Sequence, residues 1–168
     1  MTPTFPDLRA LIEFASEQVE KLFRRQGVIY PMYHAVRTDG RHMVISPPST
    51  DKNLSVALIK AAFELHAIDH YVFCDEAWIV STLQSHRTIT PSEMARMQRE
   101  GLSNHPDRNE VVMFSAENRR GEQITAQRII LRPEHGKAKL LPLDFVFDDL
   151  ADVRSEGRMI GLLQTEKK

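Results

Sequence analysis

Apolar residues recur every three or four positions near the start of the chain, at Leu8, Leu11, Ile12, Ala15, Val19, Leu22 and Phe23. This is the spacing of one helical face, so it predicts an amphipathic helix over residues 7–25. Asp7 can accept a backbone N–H at its start, and Gly27 can take the left-handed conformation that closes its end. Glu13, Glu17, Glu20, Arg24 and Arg25 fill the opposite, solvent-facing side. A second helix is predicted after Pro47-Pro48, with Ser49, Thr50 and Asp51 as cap candidates and an end near His66. Leu54, Ala57, Leu58, Ala61, Ala62 and Leu65 form its apolar face, widened by Val56, Ile59 and Phe63. So much apolar surface predicts burial against a sheet.

Between these helices, residues 28–37 and 42–46 read as two strands. Asp39-Gly40 is a strong two-residue hairpin signal, because a type I′ turn needs positive φ at both central positions. Pro31 cannot donate a ladder hydrogen bond, so the first strand lies at an edge or begins after it. A two-residue turn places Arg37 opposite His42 and His34 opposite Ile45. His34 and His42 then lie on opposite faces, unable to share a metal. Residues 70–80 are apolar on both alternating faces, the mark of a central strand. In the long interval 81–109, Thr90-Pro91-Ser92-Glu93 matches a capping box with proline at the first helical position, predicting a short helix to about Glu100. Residues 110–117 and 122–132 are two strands joined at Asn118-Arg119-Arg120-Gly121. Residues 137–147 make a further strand, at an edge because Pro142 interrupts it.

Helix, two strands, helix, strand, insertion and three strands is an α+β order. It predicts an antiparallel sheet of about five or six strands with two main helices packed on it and a short inserted helix. One domain is expected over residues 1–149, followed by a C-terminal tail, 150–168, that holds a helical turn at most before fraying. The order is similar to that of profilin-like and roadblock-like domains, a resemblance of element order that involves no sequence motif and licenses no function.

Composition narrows the classes. The 168 residues carry 22 Lys and Arg against 23 Asp and Glu, a net charge of -1, which removes the bulk electrostatic case for a nucleic-acid or acidic-membrane binder. A single Cys excludes an internal disulfide and a Cys-rich zinc site. No apolar run approaches the ~20 residues that span a bilayer. The first residues lack a basic, then apolar, secretory pattern. A soluble cytoplasmic protein is the expectation, with Cys74 a small buried hydrophobe. P-loop, dinucleotide, G-x-S-x-G and H-E-x-x-H motifs are all missing.

Two places carry candidate chemistry. In Cys74-Asp75-Glu76-Ala77-Trp78, strand alternation sends Asp75 and Glu76 to opposite faces, and a buried carboxylate needs a partner, a metal or a proton. Glu76 beside Trp78 is thus a candidate general acid or base, against the simpler reading of an acid bonded to an arginine. His105-Pro106-Asp107-Arg108-Asn109-Glu110 precedes a strand. Its His, Asp and Glu are metal-favoured groups, and Arg108 suits a phosphate or carboxylate. The simpler reading there is a polar turn. Convergence of Glu76, His105 and Asp107, with Glu110, would build a divalent-metal site able to activate water. Arg119, Arg120, Arg128 and Arg132 offer a phosphate-reading stripe, but ion pairing on a sheet face explains them as well. The leading expectation is a non-enzymatic module, without cofactor, for contact with another protein or with itself, a dimer using helix faces. Asp75, Trp78 and Arg108 are its candidate binding residues. The alternative is a small metal-assisted hydrolase or nuclease built on Glu76, His105 and Asp107.

Overall fold

The computed structural model describes residues 3–80, 90–102, 105–146 and 159–163. Among the described residues, three helices, α1 (Leu8–Gln26), α2 (Lys52–Leu65) and α3 (Pro91–Glu100), accompany seven strands. These are β1 (Met32–Arg37), β2 (His42–Ile45), β3 (Ile68–Val80), β4 (Arg108–Asn118), β5 (Gln123–Leu131), β6 (Lys139–Leu140) and β7 (Asp144–Val146). All pairings are antiparallel, in the order β2-β1-β3-β4-β5-β6, with β7 also on β5. The α+β class is as expected. β3 is central, between β1 and β4. β1 begins just after Pro31 and is flanked on both sides, so the edge belongs to β2. The expected strand over 137–147 is split into β6 and β7 around Pro142, which has no N–H for the ladder.

Helix ends follow the local chemistry. Asp7 accepts the Ala10 N–H at 2.8 Å, and Gly27 closes α1 at φ 71°. The Thr90–Glu93 capping box starts α3 with Pro91 in its first turn. α1 packs on one sheet face, where Leu11, Ile12, Ala15 and Val19 meet Val72, Cys74, Val112, Phe114 and Ala126. α2 packs on the other with Tyr33, Ala35, Ile68 and Tyr71. Leu162 and Leu163 join that second core. This part of the expected tail is therefore docked; residues 147–158 and 164–168, with the helical turn foreseen there, lie outside the described residues.

Two expectations are corrected. The β1–β2 pairing sets Val36 opposite His42 and His34 opposite Val44, one residue from the register of a two-residue turn. The connection is Thr38-Asp39-Gly40, with Gly40 at φ 81° and the Arg37 N–H bonded to Arg41 O at 2.9 Å. That is the three-residue hairpin whose last residue is left-handed, and it also uses Asp-Gly. A one-residue slip reverses every side chain, so His34 and His42 share a face. The second correction concerns α2. Its buried stripe is Ser55, Ile59 and Phe63, while Leu54, Leu58 and Leu65 are 50%, 46% and 80% exposed. Ser55 fixes this rotation. Its hydroxyl donates to Ser49 O at 2.7 Å, and Ile59 and Phe63 follow on the same side.

Candidate functional site

Sheet alternation separates the two acids of β3. Glu76 faces α1 and accepts the Ile29 N–H at 2.7 Å, with Arg132 at 3.9 Å. It ties the α1–β1 connection to the sheet. His105 is buried at the foot of β4, where its Nδ1 accepts the Asp107 N–H at 3.1 Å. Its Nε2 lies 3.1 Å from Glu93 Oε1, so the proton sits on Nε2 and the ring fastens α3 to β4. Glu110 is bidentate with Arg132 at 2.7 and 2.8 Å. The structure thus pairs Glu110 with the arginine that also approaches Glu76 but gives His105 and Asp107 a separate local network. Among the described residues, no three His, Cys, Asp or Glu side chains are gathered to hold a metal.

The remaining candidates fall in two places. The Arg108 guanidinium lies 5.0 Å from the Trp78 ring, a cation–π contact on the α1 side of the strand ends. Of the arginine stripe, Arg120 pairs with Glu122 at the surface, while Arg119, Arg128 and Arg132 also bond backbone carbonyls. Arg128 is buried, bonded to Glu20 at 2.8 Å and Leu141 O at 2.7 Å. Arg132 also reaches Gly27 O. Arg119 bonds Ile68 O and Glu64.

Asp75, on the opposite face from Glu76, stands in a pocket of about 530 Å³. Its walls are Tyr30 and Pro31 before β1, residues 46–50 of the β2–α2 loop, Lys52 and Ser55 of α2, Phe73 and Asp75 of β3, and Met159. This size is within the range of small-molecule sites. The loop is held in shape by its own residues. The Ser49 N–H donates to Ser55 Oγ at 3.2 Å, the Asp51 N–H donates to Ser49 Oγ at 3.1 Å, and the Asp51 carboxylate caps α2 through the Asn53 and Leu54 N–H groups. Pro47 and Pro48 restrict it further. Burial pushes the Asp75 carboxyl up to about 6, opposed by the Glu76 backbone and by the charge of Lys52. Strand alternation puts Asp75 on the face opposite Glu76, where it is partly buried. The alternation gave no sign of the pocket, because ten of its twelve wall residues come from segments distant from β3.

Comparison with family models, curated proteins and solved structures found no match. Among the described residues, no helix is long and apolar enough to cross a membrane.

Proposed function

We propose that this protein is a small cytoplasmic α+β module that associates with a second copy of itself through the outer face of α2. The observation that carries this reading is the exposed stripe Leu54, Leu58, Ala61 and Leu65. Its spacings of four, three and four residues are those of a coiled-coil seam. They are also the same in both directions. Two antiparallel copies across a two-fold axis would set Leu54 against the partner's Leu65 and Leu58 against the partner's Ala61. Such an interface is self-complementary, as a symmetric dimer requires. Ala57 and Ala61 are small enough to let the helices approach closely. An outline order similar to profilin-like and roadblock-like domains belongs to the same proposal, as does a reducing compartment for the buried thiol of Cys74.

Covering a half-exposed leucine contributes roughly 1–2 kcal/mol. Association costs about 4–15 kcal/mol. The six leucines of a dimer therefore support a weak, concentration-dependent complex. Sedimentation equilibrium over a range of concentrations should show a monomer–dimer equilibrium that Leu58→Glu abolishes while the fold is retained. A wild-type monomer at every concentration, or a dimer indifferent to Leu58→Glu, overturns the reading; in the first case a helix of another protein becomes the occupant to seek.

A further inference from the structure

The Asp75 pocket is independent of the α2 face and has its own chemistry. Pro31, Pro47, Pro48, Phe73 and Met159 supply apolar walls. Two formal charges of opposite sign line it, Asp75 on the sheet and Lys52 in the first turn of α2. Asp75 is partly buried on the sheet, and Lys52 is exposed at the rim. Among the described residues Lys52 makes no ion pair with Asp75. The two charges thus line one pocket without being joined in an ion pair, although the charge of Lys52 is felt at Asp75. Thr50 and Ser46 add hydroxyls at the opening.

A simple cation would be attracted by Asp75 and repelled by Lys52, and a simple anion the reverse. A molecule bearing both charges on a short frame satisfies both, and its apolar part meets the prolines, Phe73 and Met159. We propose that this pocket binds a small zwitterion with an apolar side chain, in chemical class an apolar α-amino acid, its ammonium on Asp75 and its carboxylate at Lys52. The loop held by Ser49, Ser55 and Asp51 is already shaped, which lowers the ordering cost of binding.

Isothermal titration of the full chain with three probes tests this: L-phenylalanine, 2-phenylethylamine without the carboxylate, and 3-phenylpropionate without the amine. L-Phenylalanine should bind saturably, and each single-charge probe about tenfold or more weaker, the worth of one charged hydrogen bond. Asp75→Asn should weaken L-phenylalanine and 2-phenylethylamine by about tenfold and spare 3-phenylpropionate. Lys52→Met, on an exposed position that cannot disturb the core, should weaken L-phenylalanine and 3-phenylpropionate and spare 2-phenylethylamine. Absence of saturable L-phenylalanine binding overturns the proposal. So does equal binding of all three probes, or L-phenylalanine affinity unchanged in both variants.

Discussion

His34 Nδ1 and His42 Nε2 lie 3.0 Å apart, with their rings stacked at 5.2 Å and 22°. Phe14 meets both rings edge-on, and Phe5 packs against His42. The contact exists because the hairpin closes through three residues and so brings both imidazoles to the α1 face. One ring gives the shared proton and the other accepts it, which requires at least one neutral imidazole. Burial holds His34 down to about 4, with His42 adding to the effect, and burial lowers His42 as well.

This gives a pH dependence with a definite sign. Above the unfolded value of ~6.5 His34 is neutral in both states and the fold loses nothing. As pH falls from there toward about 4, the unfolded chain takes a proton that folded His34 refuses. Stability then declines by up to about 1.4 kcal/mol per pH unit. Asp75 acts oppositely over much of this window, so the slope is cleanest in an Asp75→Asn background. Urea unfolding from pH 7 to 4.5 should show the decline there, and His34→Gln should flatten it. Imidazole NMR should find His34 neutral at pH 5.5.

Asp75 itself should be destabilising at neutral pH. Its folded carboxyl titrates near 6, above its unfolded value, because ionising it in the pocket is unfavourable. The folded state therefore holds its proton longer, and relative stability is lost as pH rises from about 4 through 6. Asp75→Asn should raise stability at pH 7 by roughly 1–2 kcal/mol after allowance for solvent screening at the open side. Below pH 4 the gain should vanish. A variant that is less stable at pH 7 would mean that Asp75 holds the sheet together, and its place in the pocket would be incidental.

Much of the backbone plan was legible because its signals are local. The α1 stripe, the Thr90–Glu93 box and the alternation in β3 each depend on residues within a few positions of one another. Errors arose where two local solutions share one signal. Asp39-Gly40 serves a two-residue or a three-residue turn, and the choice reverses His34 against His42. On α2, apolar residues surround most of the helix, so periodicity pointed to the Leu54–Leu65 side, whereas the Ser49–Ser55 bond turns Ile59 and Phe63 inward. Glu117 had no local signal at all, since its partners Gly161, Leu162 and Leu163 lie more than 40 residues away.

Glu76 should behave as a tie and not as a reacting group. Glu76→Ala removes the acceptor of the Ile29 N–H and one neighbour of Arg132. A cost of about 1–3 kcal/mol is expected, the worth of leaving a partly buried donor unsatisfied. Glu76→Gln keeps an acceptor oxygen and should recover most of it. Chelator should leave the melting temperature of wild type unchanged, and a fall on chelation would instead revive a metal role for Glu76 or Glu110.

The strongest single dependence is expected at Glu117, a carboxylate only 6% exposed. Its Oε1 accepts from Tyr71 Oη at 2.7 Å and from the Leu162 and Leu163 N–H groups at 2.8 and 3.1 Å. Its Oε2 accepts from the Gly161 N–H at 3.0 Å and the Gln123 amide at 3.3 Å. These bonds hold two leucines in the α2-side core, assisted by the Tyr33 hydroxyl, which donates to Met159 O at 2.8 Å. Glu117→Gln turns one acceptor into a donor that faces other donors, and removes the charge that strengthens the rest. The cost should be about 2–4 kcal/mol. Tyr33→Phe, which removes one hydroxyl and keeps the ring, should cost nearer 1 kcal/mol. Hydrogen exchange separates a local effect from a global one. In Glu117→Gln the Leu162 and Leu163 amides should lose protection well beyond the change at Val72, because the segment detaches before the sheet opens. Equal loss at all three amides would mean that Glu117 supports the whole sheet and that the Leu162–Leu163 docking merely follows from it.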